Sequence, residues 1–167
     1  MSIDKDCLED GEFVEVLDFN DFENLHPYIA AIIAYVHAQS KNKDRPKRKH
    51  INPAEIQPLL PYLAILETKY DGDVLKDVRV RLVGTELATL YGEVTDTLIS
   101  DHPNEDASRR IMANAMLAST SKKIIVGSAE RFDEEKNFVK VKSVVIPLFD
   151  DEGDPDKVTQ LLCLVIF

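Results

Sequence analysis

His26, His37, His50 and His102 are the side chains best suited to hold a metal or move a proton, and none stands at ligand spacing from a cysteine or carboxylate. Ser119, Ser121 and Ser128 lie in no glycine-flanked elbow of the kind that exposes a nucleophile. No glycine-rich loop is present to cradle a phosphate. Cys7 and Cys163 are far apart and fit no metal or redox spacing; Cys163, inside LLCLVIF, reads as a small buried hydrophobe. Glu134 and Glu135 read as a solvated hairpin turn. The pattern predicts no catalytic residue, no metal site and no enzyme.

Charge narrows the partners. The run KNKDRPKRKH (41–50) is basic, but it lacks the interleaved aromatics of a base-stacking platform and reads as a solvated linker that pairs with acidic neighbours. The chain as a whole carries a net charge of -10, which argues against nucleic acid and against anionic membrane surfaces. The start, MSIDKDCLEDGEF, is acidic and lacks the apolar run of a signal peptide. No stretch approaches the roughly 20 apolar residues of a membrane span. Two thiols do not make a disulfide framework, so a cytoplasmic location is expected.

With 167 residues, 44% hydrophobic and 30% charged, the chain is long enough for one domain with a real core. Residues 1–20 are acidic and are expected to be loosely held. From Pro27 the spacing of Ile29, Ile32, Ile33 and Val36 predicts a helix with one apolar stripe. That stripe must dock on the domain or on a second copy. Residues 21–50 are thus a helix and a basic linker. In NPAEIQPLLP, Asn52 suits a helix cap with Glu55 three residues on, and Pro58 and Pro61 keep the helix to about one turn.

Strands are predicted at 63–69 and 77–83, joined by the turn YDGD. Thr85 is expected to cap a short helix at 86–91, with Gly92 as its left-handed stop. Residues 105–119 read as a helix presenting Ala107, Ile111, Met112, Ala115 and Met116, with Arg109, Arg110 and Asn114 off that face. Strands at 123–132, 138–149 and 157–167 complete the chain, and the last, apolar on both faces, belongs in the centre of a sheet. The fold class is α+β: a five-stranded antiparallel sheet with helices over one face and an N-terminal helix.

This order resembles the PAS domain. The likeness tightens in two segments. Asn52, Pro53, Ile56, Leu59, Leu60 and Pro61, followed by Arg81, Leu82, Gly84 and Thr85, are similar to paired elements of a bacterial PAS family with an N-terminal helical cap. A later element of that family is matched by Pro147, Leu148, Asp150 and Gly153. EVTDTLIS (93–100) departs from it where a Thr-Gly pair is usual. The resemblance covers residues 21–167 and makes 51–167 the PAS domain proper.

The resemblance implies a sensory or signalling role. Flavin photoreceptors of this fold need a cysteine on the middle helices, and none lies between Cys7 and Cys163, so a thiol-linked flavin is excluded. Haem sensors place a histidine on the long helix; residues 104–121 contain none, and His102, just before it, reads as a surface residue. What remains is a pocket for a small hydrophobic or mixed-polarity ligand, lined by Leu82, Leu87, Leu90, Tyr91, Ile111, Met112 and Met116 with Ser143 and Val145 from the sheet.

No effector domain follows the last strand, so the expectation is a stand-alone sensor or adaptor. It is expected to be a homodimer through Ile29, Ile32, Ile33 and Val36, passing its signal to a protein partner. Two other readings stay open: an interaction scaffold with a filled core, or a small α+β ligand-binding protein or enzyme.

Overall fold

Long apolar strands dominate the last third of the chain, and the computed structural model gathers them into one sheet; it describes residues 13–18, 25–41, 44–132 and 138–167. The strands are β1 (Phe13–Leu17), β2 (Leu63–Asp71), β3 (Val74–Val83), β4 (Ile124–Phe132), β5 (Phe138–Phe149) and β6 (Val158–Ile166). Every neighbouring pair is antiparallel, in the order β1-β4-β5-β6-β2-β3. The apolar final strand is central, as its composition requires.

The sheet has six strands rather than five, because FVEVL, inside the acidic stretch 1–20, pairs with β4 as an edge strand. Its alternation covers only a few residues, and the surrounding acids mask it. Cys7 and the turn at Glu134 and Glu135 lie outside the described residues.

Helices lie on both faces of the sheet: the N-terminal helix takes the face that the later helices leave. Helix α1 (Pro27–Gln39) begins with proline at its first position, and the His26 ring accepts the Tyr28 N–H at 3.2 Å. Its stripe packs on the back of the sheet against Ile124, Val144, Ile146, Leu162 and Leu164. Ile29, Ile32, Ile33 and Val36 are each at most 1% exposed within this single chain. The stripe expected to make a dimer is therefore core within the single chain, and the residues that α1 exposes are others, among them Pro27, Tyr28, Ala31 and Ala38.

Residues 48–62 run as 3-10 turns along the same back face, since Pro53, Pro58 and Pro61 supply no N–H donors. Asn52 caps as expected, its side chain accepting the Ala54 N–H at 3.1 Å. Glu55 instead accepts the Tyr35 hydroxyl at 2.8 Å, and that hydroxyl accepts the Asn52 N–H at 2.9 Å, which ties this segment to α1.

The basic run is strapped to the acidic β5–β6 turn. Arg45 meets Asp156 at 3.0 Å and lies 4.7 Å from the Phe149 ring centre, while Lys49 meets Asp151 at 3.1 Å. Among the described residues no helix is long and apolar enough to cross a membrane.

The front face carries α2 (Thr85–Tyr91) and α3 (Glu105–Ser121). Gly84, not Thr85, takes the cap position of α2. Its N–H donates to the Leu63 carbonyl at 2.7 Å, and a side chain there would run into the carbonyls of Leu60 and Pro61. Gly92 ends α2 at φ 85°, the left-handed geometry that glycine adopts without strain. Helix α3 is capped by Asn104, whose side chain accepts the Ala107 N–H at 3.0 Å, and Glu105 and Asp106 suit its positive end.

Candidate functional site

Small side chains leave space between α3 and the sheet it packs on. Ala107, Ala115 and Ala118 are the residues it buries, and the strands beneath answer with small residues of their own. One cross-strand row of the floor runs Val14, Gly127, Ser143, Val165 over β1, β4, β5 and β6. The next runs Val16, Ile125, Val145, Cys163, Ala64, Val83 across all the strands. Gly127, Ser143, Ala64 and Cys163 are the small side chains of this lining. The result is a cavity of about 150 Å³ between the sheet, α2 and α3.

Leu87, Tyr91, Ile111, Ser143 and Val145 line it together. Leu82, Leu90, Met112 and Met116 do not, which corrects their expected placement. Leu82 is displaced by a β-bulge. Ile65 pairs with Leu82 and Leu66 with Val80, so Arg81 is an extra residue on β3 and the alternation flips. Val83 then faces the cavity, and Leu82 is 43% exposed.

Helix α3 is rotated from its predicted face. Ala107, Arg110, Ile111, Asn114 and Ala115 point into the cavity at helical spacing, Met112 packs beside it, and Met116 is 48% exposed. Leu90 is half-buried away from the lining.

Several lining residues are ones the sequence did not assign to the pocket: the floor residues Gly127 and Cys163, and the wall residues His102, Arg109, Arg110 and Asn114. The signal for the floor was present in KIIVGSAERF, where a glycine interrupts an otherwise bulky strand.

His102 is buried rather than on the surface. Its Nε2–H donates to the Tyr91 carbonyl at 3.1 Å and its Nδ1 accepts the Asn104 N–H at 3.0 Å. Iron at either nitrogen would have to displace one of these bonds. The imidazole thus joins the end of α2 to the start of α3, and its ring meets Tyr91 edge-on, with centres 6.3 Å apart.

Burial raises the Tyr91 phenol above its ordinary value; Arg110 opposes the shift and Cys163 adds to it. Burial pushes the Cys163 thiol up to about 12, so it is a neutral wall residue and not a nucleophile. Among the described residues no three His, Cys, Asp or Glu side chains come together as metal ligands would. The cavity is an apolar chamber with a few polar groups, an arrangement suited to binding.

No curated protein matches the sequence. Solved structures similar to the chain include the PAS domain of a protein from Colwellia psychrerythraea, at 12% identity and TM-score 0.41 over 68% of this chain and 93% of that one. Another is the light state of the blue-light photoreceptor Aureochrome1 LOV, at 12% identity and TM-score 0.41 over 67% and 84%. A third is an RNA-binding light-oxygen-voltage receptor, at 11% identity and TM-score 0.44 over 93% of this chain and 38% of that one. A family model described as PAS domain matches residues 25–163, a span that includes the whole of α1 to α3 and of β2 to β5. On that match the chain belongs to the PAS domain family.

Proposed function

We propose that this protein is a sensory module that binds a small molecule between α3 and the sheet and reports its occupancy to a protein partner. PAS domains are sensory and signalling modules, and the family match carries that coarser role to this chain. The observation that supports ligand sensing is the cavity of about 150 Å³ over the Gly127–Ser143 floor. A scaffold with a filled core has no use for paired small residues at the centre of its sheet, because an empty chamber forfeits packing contacts.

Output has a short route. His102 couples the end of α2 to the start of α3, so a ligand that presses on either helix shifts both. The interaction surface is not the apolar stripe of α1, which is core. The polar outer faces of α2 and α3 are the elements nearest the chamber. Native mass spectrometry of freshly purified protein, with an absorption scan through the visible range, tests the reading. A bound small mass or a chromophore band supports it. A bare chain that also takes up nothing from a cell extract refutes it.

A further inference from the structure

The charged and titratable groups of the cavity wall are already engaged. His102 uses both ring nitrogens, on the Tyr91 carbonyl at 3.1 Å and the Asn104 N–H at 3.0 Å. Arg109 meets Asp106 at 3.7 Å, and Arg110 and Tyr91 also have partners within the chain. Cys163 is a neutral thiol, and no Asp or Glu lines the cavity among the described residues.

Asn114 and Ser143 differ. Both line the cavity, and among the described residues neither makes a side-chain hydrogen bond. Ser143 shares a strand face with Val145, which packs in the front core, while Val144 between them packs in the back. Its cross-strand partner Gly127 has no side chain to cover or bond the hydroxyl. Asn114 comes from the opposite wall, inside α3. Asparagine is a poor helix former because its side chain competes for backbone groups, so propensity does not account for it at that position.

The Asn114 carboxamide offers both donors and an acceptor, and the Ser143 hydroxyl one donor and an acceptor. A polar group taken from water and left unpaired costs more than a completed bond returns. A hydrocarbon filling the chamber pairs with neither residue. A ketone accepts but leaves the Asn114 oxygen without a donor. A carboxylate brings a charge for which the described wall holds no free cation. An amide supplies a carbonyl and an N–H side by side, without charge.

Size limits the rest of the ligand. A chamber of about 150 Å³ has the volume of an apolar protein cavity that takes up benzene. We propose that the cavity selects a small uncharged amide, its carbonyl and N–H shared between Asn114 and Ser143 and its body, a single ring or a short branched chain, against the apolar wall. This rests on the ligand-sensing reading above and adds the ligand's class.

The test is calorimetric titration of the intact chain with three probes of equal size: benzamide, acetophenone, which only accepts, and sodium benzoate, which is charged. Wild type is expected to bind benzamide at least about fivefold more tightly than acetophenone, the scale of one buried hydrogen bond, and at least about tenfold more tightly than benzoate. N114L, checked for folding by circular dichroism, is expected to bind benzamide and acetophenone within about twofold of each other. S143A, a smaller change, is expected to weaken the preference. M116Q, at a residue 48% exposed and outside the lining, is expected to behave as wild type. Equal binding of benzamide and acetophenone by wild type, tighter binding of benzoate, or a full preference retained in both N114L and S143A overturns the amide assignment and leaves the cavity reading intact. Binding of none of the three also overturns the assignment, and the ligand-sensing reading then stands or falls on the native mass measurement.

Discussion

Gly127 and Ser143 stand directly opposite each other on β4 and β5, in the floor of the cavity beneath α3. Their small size is what separates an open chamber from a filled core. Ser143→Leu is expected to occupy that space with an apolar side chain. Stability should stay within about 1 kcal/mol of wild type, because the new side chain enters a void instead of displacing neighbours. Small-molecule binding should be lost. Thermal unfolding with and without ligand measures both; a variant that still shows the wild-type ligand-induced rise places the ligand elsewhere.

Gly84 sits against the main-chain carbonyls of Leu60 and Pro61. Main chain cannot step aside as a flexible side chain does, so Gly84→Ala is expected to cost about 2 kcal/mol or more by forcing a backbone shift. Urea unfolding reads this as a lower midpoint at similar slope. A midpoint equal to wild type would mean that α2 and the 57–62 turn separate freely.

Ile33 lies wholly within the core on the back of the sheet. Ile33→Ala should cost about 2–5 kcal/mol as a core truncation, and Ile33→Asp should not fold, because a buried unpaired carboxylate has no compensation. A folded Ile33→Asp chain with altered sedimentation would instead restore the stripe as a contact between copies.

The elements of this fold were largely legible in its sequence. The apolar period along α1, the alternation in β2 and β3, and the double-sided β6 are strong local patterns, and the predicted bounds of α3 and β5 fall close to the observed ones. The pairing of Leu60 and Pro61 with Gly84 also explains why those segments read together as a family signature. Placement of the site was less legible. The bulge at Arg81 reverses which face Leu82 and Val83 occupy, and bulges have no composition of their own. The rotation of α3 keeps Ala107, Ile111 and Ala115 inward, brings Arg110 and Asn114 in beside them and turns Met116 out, so the polar residues of the cavity side are invisible to a hydrophobic period. The docking of α1 depends on a sheet face whose coverage no local window reports.

Cys163 gives a pH prediction. Its thiol is raised from 9.0 to about 12 by burial, so the folded chain keeps a proton that the unfolded chain releases. Below pH 9.0 both states are protonated and this group leaves stability unchanged; between there and about 12 the unfolded state is favoured and stability falls as pH rises. Tyr91, also raised by burial, acts in the same direction once pH exceeds its ordinary range. Alkylation followed by peptide mapping should label Cys163 only after unfolding. Rapid labelling of the native chain at neutral pH would contradict its burial.

The most direct test of the account compares wild type and Ser143→Leu, purified side by side and weighed intact under native conditions. The account predicts a small bound mass on the wild-type chain, retained through purification or acquired from a cell extract, and no such mass on the variant. A bare wild-type chain under both conditions, or an equal bound mass on wild type and variant, would contradict ligand sensing through this cavity.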